Sequence, residues 1–195
     1  VRVKLGVPGL DPLVGGGVVG GQSILICGMP GTGKTILGMQ FLYKGIKDSG
    51  ENALYVSVED HPERLTYYAN NFGWDIEQLV AEKKFAFLKV PIDQRGYKIV
   101  NEIEKAAKKV GAKRMVVDSL SALNINARMF DLPLVNQSDP TGTLPKKKIL
   151  KVAGFTPFED TSQFTYLLID RIRDMKITTF FLTDSPPGTE HLTKD

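Results

Sequence analysis

The chain has 195 residues, 42% hydrophobic and 24% charged, which predicts one globular domain with a substantial core. A formal net charge of +3 suits a polyanionic ligand without marking a dedicated nucleic-acid binder. The single cysteine, Cys27, excludes an internal disulfide, no apolar run approaches the roughly 20 residues of a membrane span, and no signal-peptide pattern opens the chain, so a cytoplasmic protein is expected.

Residues 1–21 are rich in glycine and read as loop and turn leading into a first strand. Residues 23–27 are short and apolar between glycines, which predicts a buried strand with Cys27 as an inert buried thiol. Apolar positions at helical spacing follow over 34–47, and Gly50 closes that segment. The pattern then predicts a strand over 53–58, helices over 61–72 and 75–84, and a strand over 85–90 ended by Pro91. An amphipathic helix over 97–110 precedes a strand over 114–118, and a helix over 161–175 precedes a strand over 177–183. Such alternation predicts an α/β fold, a mostly parallel sheet with helices on both faces and ligands at the carboxyl ends of the strands. The exception is 124–160, with four prolines and the run Lys146-Lys147-Lys148, which reads as a long loop or insertion in a single domain.

The segment Gly28-Met29-Pro30-Gly31-Thr32-Gly33-Lys34-Thr35 fits G-x-x-x-x-G-K-[ST], with a strand before it and a helix opening towards Ile36. Glycines let the backbone wrap a polyphosphate, and the helix N-terminus adds partial positive charge. Lys34 is expected to reach the β/γ-phosphates of ATP or ADP, and the Thr35 hydroxyl to ligate Mg²⁺. Asp118 ends an apolar strand, where such folds place the acid of the metal shell; a cap for a helix starting at Ser119 is the alternative. Glu59 and Asp60 end another strand. Glu59 is the preferred base for the attacking water, with Asp60 as helper or as the cap of a helix entered through Pro62.

Taken in order, "GLDPLVGGG" (9–17), "GMPGTGKT" (28–35), "LYVSVED" (54–60), "NNFGWD" (70–75), "GAKRMVVDSLSAL" (111–123) and "ITTFFLTD" (177–184) resemble a KaiC-type ATPase domain of the RecA/DnaB superfamily. The resemblance implies a three-layer P-loop fold, ATP and Mg²⁺ as ligands, and assembly into a homo-oligomeric ring such as a hexamer. It implies that Lys34 and Thr35 handle phosphate and metal, that Glu59 with Asp60 forms the acidic pair beside the water, and that Asp118 is the metal acid. Asp184 falls at the end of the sensor strand. Two departures stand out: Asp60 replaces the family's second glutamate, and the family's later strands and basic finger are not found, so either a C-terminally incomplete piece of the domain or a shortened domain is expected. Ser185 and Thr189 do not form the adjacent Ser-Thr pair of the clock autokinases, so autophosphorylation is not expected.

Trp74, Phe72, Tyr67 and Tyr68 are expected in core packing or at a hydrophobic helix end rather than in base stacking. His61 and His191, without a cysteine cluster, do not make a zinc site. Three functions remain: an ATP-hydrolysing ring-forming domain, a DNA-handling recombinase paralogue with 124–160 and 185–190 lining a channel, and a nucleotide-gated scaffold with little hydrolysis.

Overall fold

The computed structural model describes residues 1–91, 96–124 and 157–184. Five parallel strands form the central sheet in the order β3-β7-β6-β4-β5. They are β3 (Ser23–Gly28), β4 (Ala53–Ser57), β5 (Phe85–Lys89), β6 (Arg114–Asp118) and β7 (Thr178–Asp184). The helices are α2 (Lys34–Ser49), α3 (Pro62–Asn71), α4 (Ile76–Ala81), α5 (Gly96–Val110), a described stretch of α6 over 120–124, and α7 (Pro157–Asp174). No helix among the described residues is long and apolar enough to cross a membrane.

Successive side chains of a strand point to opposite faces, and both faces are used. On one, Phe41 and Leu42 of α2, Leu65 of α3 and Leu79 of α4 pack against Tyr55, Val116 and Phe180. On the other, Ile99 and Ile103 of α5 with Leu168 and Ile172 of α7 pack against Leu54, Val117 and Phe181. All five residues of β4 are therefore buried, as expected of a central parallel strand covered on both sides.

The structure corrects four expectations. The first 21 residues are not all loop: β1 (Arg2–Val3) pairs antiparallel with β2 (Val18–Val19), and α1 (Leu10–Leu13) lies between them. Strand β3 is not fully buried, and Cys27 is exposed, because β3 is the edge of the sheet among the described residues, with Leu25 57% exposed beside it. Tyr67 is exposed along α3, neither core nor helix end, whereas Phe72 is the exposed residue that ends α3 and Trp74 stacks between Phe72 and Tyr43. Helix α7 starts at Pro157, four residues before the expected position. The expectations for Lys146 to Lys148, Ser185, Thr189 and His191 lie outside the described residues.

One polar clamp holds the amino end of the sheet. Arg114 is only 2% exposed, donates to Glu51 Oε2 at 2.6 Å and to the carbonyls of Lys4 at 2.8 Å and Phe41 at 3.1 Å, and covers the Phe41 ring at 4.7 Å. Room for the guanidinium comes from Gly45 of α2, where a Cβ would stand 2.2 Å from Arg114 Nε. The clamp ties the segment just after β1, α2 and β6 together.

Candidate active site

The parallel register gathers the carboxyl ends of four strands into one place. Gly28 of β3 pairs with Asp184 of β7, and Ser57 of β4 pairs with Asp118 of β6. From β3 the chain turns through 29–33 into α2. Gly33, the residue before the helix, has φ +88°, a conformation that strains any L side chain. Helix α2 is 16 residues long, so its first unpaired N–H groups and its dipole converge on the loop. The loop is braced internally: the Thr32 hydroxyl donates to the Met29 carbonyl at 2.8 Å. Met29 is exposed at its rim.

Lys34 lies across this loop. Its ammonium donates to the carbonyls of Gly28 at 2.8 Å and Met29 at 2.9 Å, and pairs with Asp184 Oδ1 at 2.9 Å. The next residue, Thr35, donates from Oγ1 to Asp118 Oδ2 at 2.7 Å. Thus the helix opening after the glycine loop is bonded to a carboxylate 83 positions away in the sequence. The Tyr55 hydroxyl donates to the same oxygen of Asp118 at 2.6 Å. Burial first, and the charge of Asp118 second, push the Tyr55 hydroxyl well above its ordinary range, so it stays a proton donor. Asp118 does not cap the following helix. Ser119 does, its hydroxyl accepting from the Ala122 N–H at 3.2 Å, which leaves the carboxylate of Asp118 to the site.

The two acids after β4 differ. Glu59 is exposed. Asp60 pairs with Arg64 one turn into α3 at 3.0 Å, and its backbone N–H donates to Ser57 Oγ at 2.9 Å. Asp60 is not the helix cap: His61 holds that position, in extended conformation, with Pro62 next. Sequence reasoning missed Tyr55, which reads as one more apolar strand residue, and the hydroxyl pair Ser121–Thr183 at 2.8 Å. Ser121 Oγ also accepts from the Asp184 N–H at 3.3 Å, joining α6 to the end of β7. An open groove of about 470 Å³ lies elsewhere, between α3, α4 and Phe87 of β5.

The residues gathered here are a glycine loop at a helix N-terminus, one lysine, and a threonine hydroxyl bonded to a carboxylate. All are oxygen or nitrogen groups suited to a polyphosphate and a hard cation. A family model described as "ATPase: KaiC" matches residues 3–130. A UPF0273 protein of Methanocaldococcus jannaschii is 36% identical over 147 residues, covering 66% of this chain and 60% of that protein. The circadian clock oscillator protein KaiC of a Picosynechococcus species is 35% identical over 131 residues, 63% of this chain and 25% of that one. Among solved structures, a KaiC-like protein of Pyrococcus horikoshii superposes with a TM-score of 0.72 and 27% identity, over 95% of this chain and 71% of that one. The chain spans roughly half to three fifths of the length of the UPF0273 proteins it matches.

Proposed function

The chain belongs to the KaiC ATPase family, and from that premise we propose that it binds ATP with Mg²⁺ and hydrolyses it at the carboxyl ends of β3, β4 and β6. One observation carries the proposal: the Thr35 hydroxyl and the Asp118 carboxylate meet at 2.7 Å directly behind the glycine loop. Two hard oxygen donors at a helix N-terminus fit Mg²⁺, which takes one or two protein oxygens and completes its shell with water and phosphate. When bound, Mg²⁺ neutralises charge on the β- and γ-phosphate oxygens.

The rest is done by the chain itself. Backbone N–H groups of residues 31 to 35 surround the phosphates; Pro30 has none to offer. Lys34 exchanges its two loop carbonyls and Asp184 for phosphate oxygens. Glu59, exposed and not tied down as Asp60 is by Arg64, takes the proton of the attacking water. Asp60 then orders the turn into α3 through its pairing with Arg64. The chain works in a homo-oligomeric ring, a hexamer in the simplest case; the family resemblance supports this part.

The test is steady-state ATP turnover with Mg²⁺ and with EDTA, for the wild type and Glu59→Gln. We expect Glu59→Gln to keep ATP affinity and lower turnover about 100- to 10,000-fold. If Asp60→Asn abolishes turnover and Glu59→Gln does not, the two carboxylates are assigned the wrong way round. Turnover per subunit that rises with protein concentration supports ring assembly, and a flat dilution series removes it.

A further inference from the structure

Tyr55 stands apart from the aromatic residues around it. Phe41, Phe85 and Phe180 fill the same core cluster without a polar atom, and Tyr55, although 0% exposed, carries a hydroxyl into it. A buried phenol needs a partner, and this one finds Asp118 Oδ2 at 2.6 Å. The register explains the reach. Tyr55 is level with Val116, and Asp118 is two residues further along β6 on the same face, about 6.6 Å away at strand spacing, which is the length of a tyrosine side chain. The ring itself is held in the core, tilted against Phe87 at 6.0 Å between centroids.

Two hydroxyls therefore converge on one carboxylate oxygen, Thr35 at 2.7 Å and Tyr55 at 2.6 Å. Among the described residues, Oδ1 receives no hydrogen bond. A carboxylate pinned through one oxygen by two donors cannot rotate freely, and its second oxygen keeps a fixed direction. Thr35 is half of the cation site and Tyr55 is not, so the phenol supplies the hold that does not depend on a ligand.

We infer that Tyr55 is a positioning residue for divalent cation binding: its hydroxyl holds Asp118 so that Oδ1 is presented to the cation or to water bound on it. The inference rests on the assignment of Thr35 and Asp118 as the metal donors. Partners of this kind are worth about 10- to 100-fold in metal affinity. An opposing effect has the other sign. A donor on Oδ2 draws charge from the carboxylate and weakens its pull on a cation, so losing it would tighten binding if basicity mattered more than orientation.

The experiment uses the full chain with ADP and Mn²⁺ as probes. Mn²⁺ affinity of the ADP complex is read by electron paramagnetic resonance, and ADP affinity is read separately in EDTA. Wild type, Tyr55→Phe and Asp118→Asn are compared; Tyr55→Phe keeps the ring and its packing. The expected result is about tenfold weaker Mn²⁺ binding in Tyr55→Phe, with metal-free ADP affinity unchanged. Unchanged or tighter Mn²⁺ binding in Tyr55→Phe, beside weakened binding in Asp118→Asn, overturns the positioning role alone. Equal loss of ADP affinity with and without metal means general loosening of the core and also overturns it. No effect in Asp118→Asn removes the metal assignment itself, and Tyr55 with it.

Discussion

At its first residue β6 carries Arg114, and at its last it carries Asp118. Both are charged groups at the ends of a buried strand, and both draw partners from distant parts of the chain. Arg114 is enclosed: a carboxylate, two carbonyls and an aromatic face surround it, and α2 has a glycine where a side chain would collide. Asp118 is only partly buried, and both of its donors sit on one oxygen. A charge matched on every side locks elements together. A charge with one side still open can hold something that arrives. Burial and completeness of partners therefore separate scaffold from site better than charge alone does.

The comparison breaks if the two ends respond alike to mutation. Arg114→Ala empties the space of a guanidinium that is 2% exposed, leaves the Phe41 carbonyl buried without its donor and Glu51 unpaired, and should cost about 3 kcal/mol of stability, the low end for breaking a buried pair because Glu51 keeps 29% exposure. Urea unfolding measures it. Asp118→Asn should stay within about 1 kcal/mol, because Asn still accepts from both hydroxyls. Equal losses at both ends would make Asp118 a structural residue.

Next in size is Lys34→Ala, which removes a charge-assisted phosphate contact worth about 1.5–3 kcal/mol, or roughly 10- to 150-fold in affinity for Mg-ATP. Titration calorimetry reads it directly. Unchanged affinity would take Lys34 out of the site and leave it as a brace for the loop carbonyls.

Gly45→Ala sharpens the scaffold side. The new methyl meets Arg114 Nε at 2.2 Å, so the clamp must shift, and overpacking of this kind costs about 1–3 kcal/mol. In an Arg114→Ala background the same change should be neutral or stabilising, since Ala is the better helix former by roughly 1 kcal/mol. A loss of the same size in both backgrounds would mean that the guanidinium is not what Gly45 makes room for.

The difference between the two ends was only half legible in the sequence. The glycine loop, the strand-end acids and the α/β alternation are local patterns, and the structure reproduces their elements within a few residues. Arg114 was not legible, because an arginine opening a strand looks like any polar boundary, and its partners lie 63 to 110 positions away. Tyr55 was hidden for a similar reason: in an apolar strand it reads as core, and its hydroxyl acquires meaning only from the β4–β6 register. Exposure of Cys27 followed from strand order. Strand β7 inserts between β3 and β6, which puts β3 at the edge among the described residues and Asp184 beside Gly28. No local pattern encodes that order.

The smallest effect belongs to Asp184, and it tests whether Lys34 is held in reserve. The lysine has three donors and three acceptors around it, two of which are carbonyls of the loop that is to cradle phosphate. Phosphate must take over at least the place of Asp184, the one full negative charge among the three. The lysine side chain is 11% exposed but the Asp184 side chain is 50% exposed, so solvent screens the pair. Its worth then falls to about 0–1 kcal/mol, or up to roughly fivefold in a competing equilibrium. Asp184→Asn keeps the hydrogen-bonding shape and removes the charge. We expect Mg-ATP affinity to rise by up to about fivefold at low salt, with the gain fading as salt screens the wild-type pair. A fall in affinity would mean that Asp184 acts on the bound ligand's side rather than on Lys34, and the comparison would gain a second open carboxylate at the same end of the sheet.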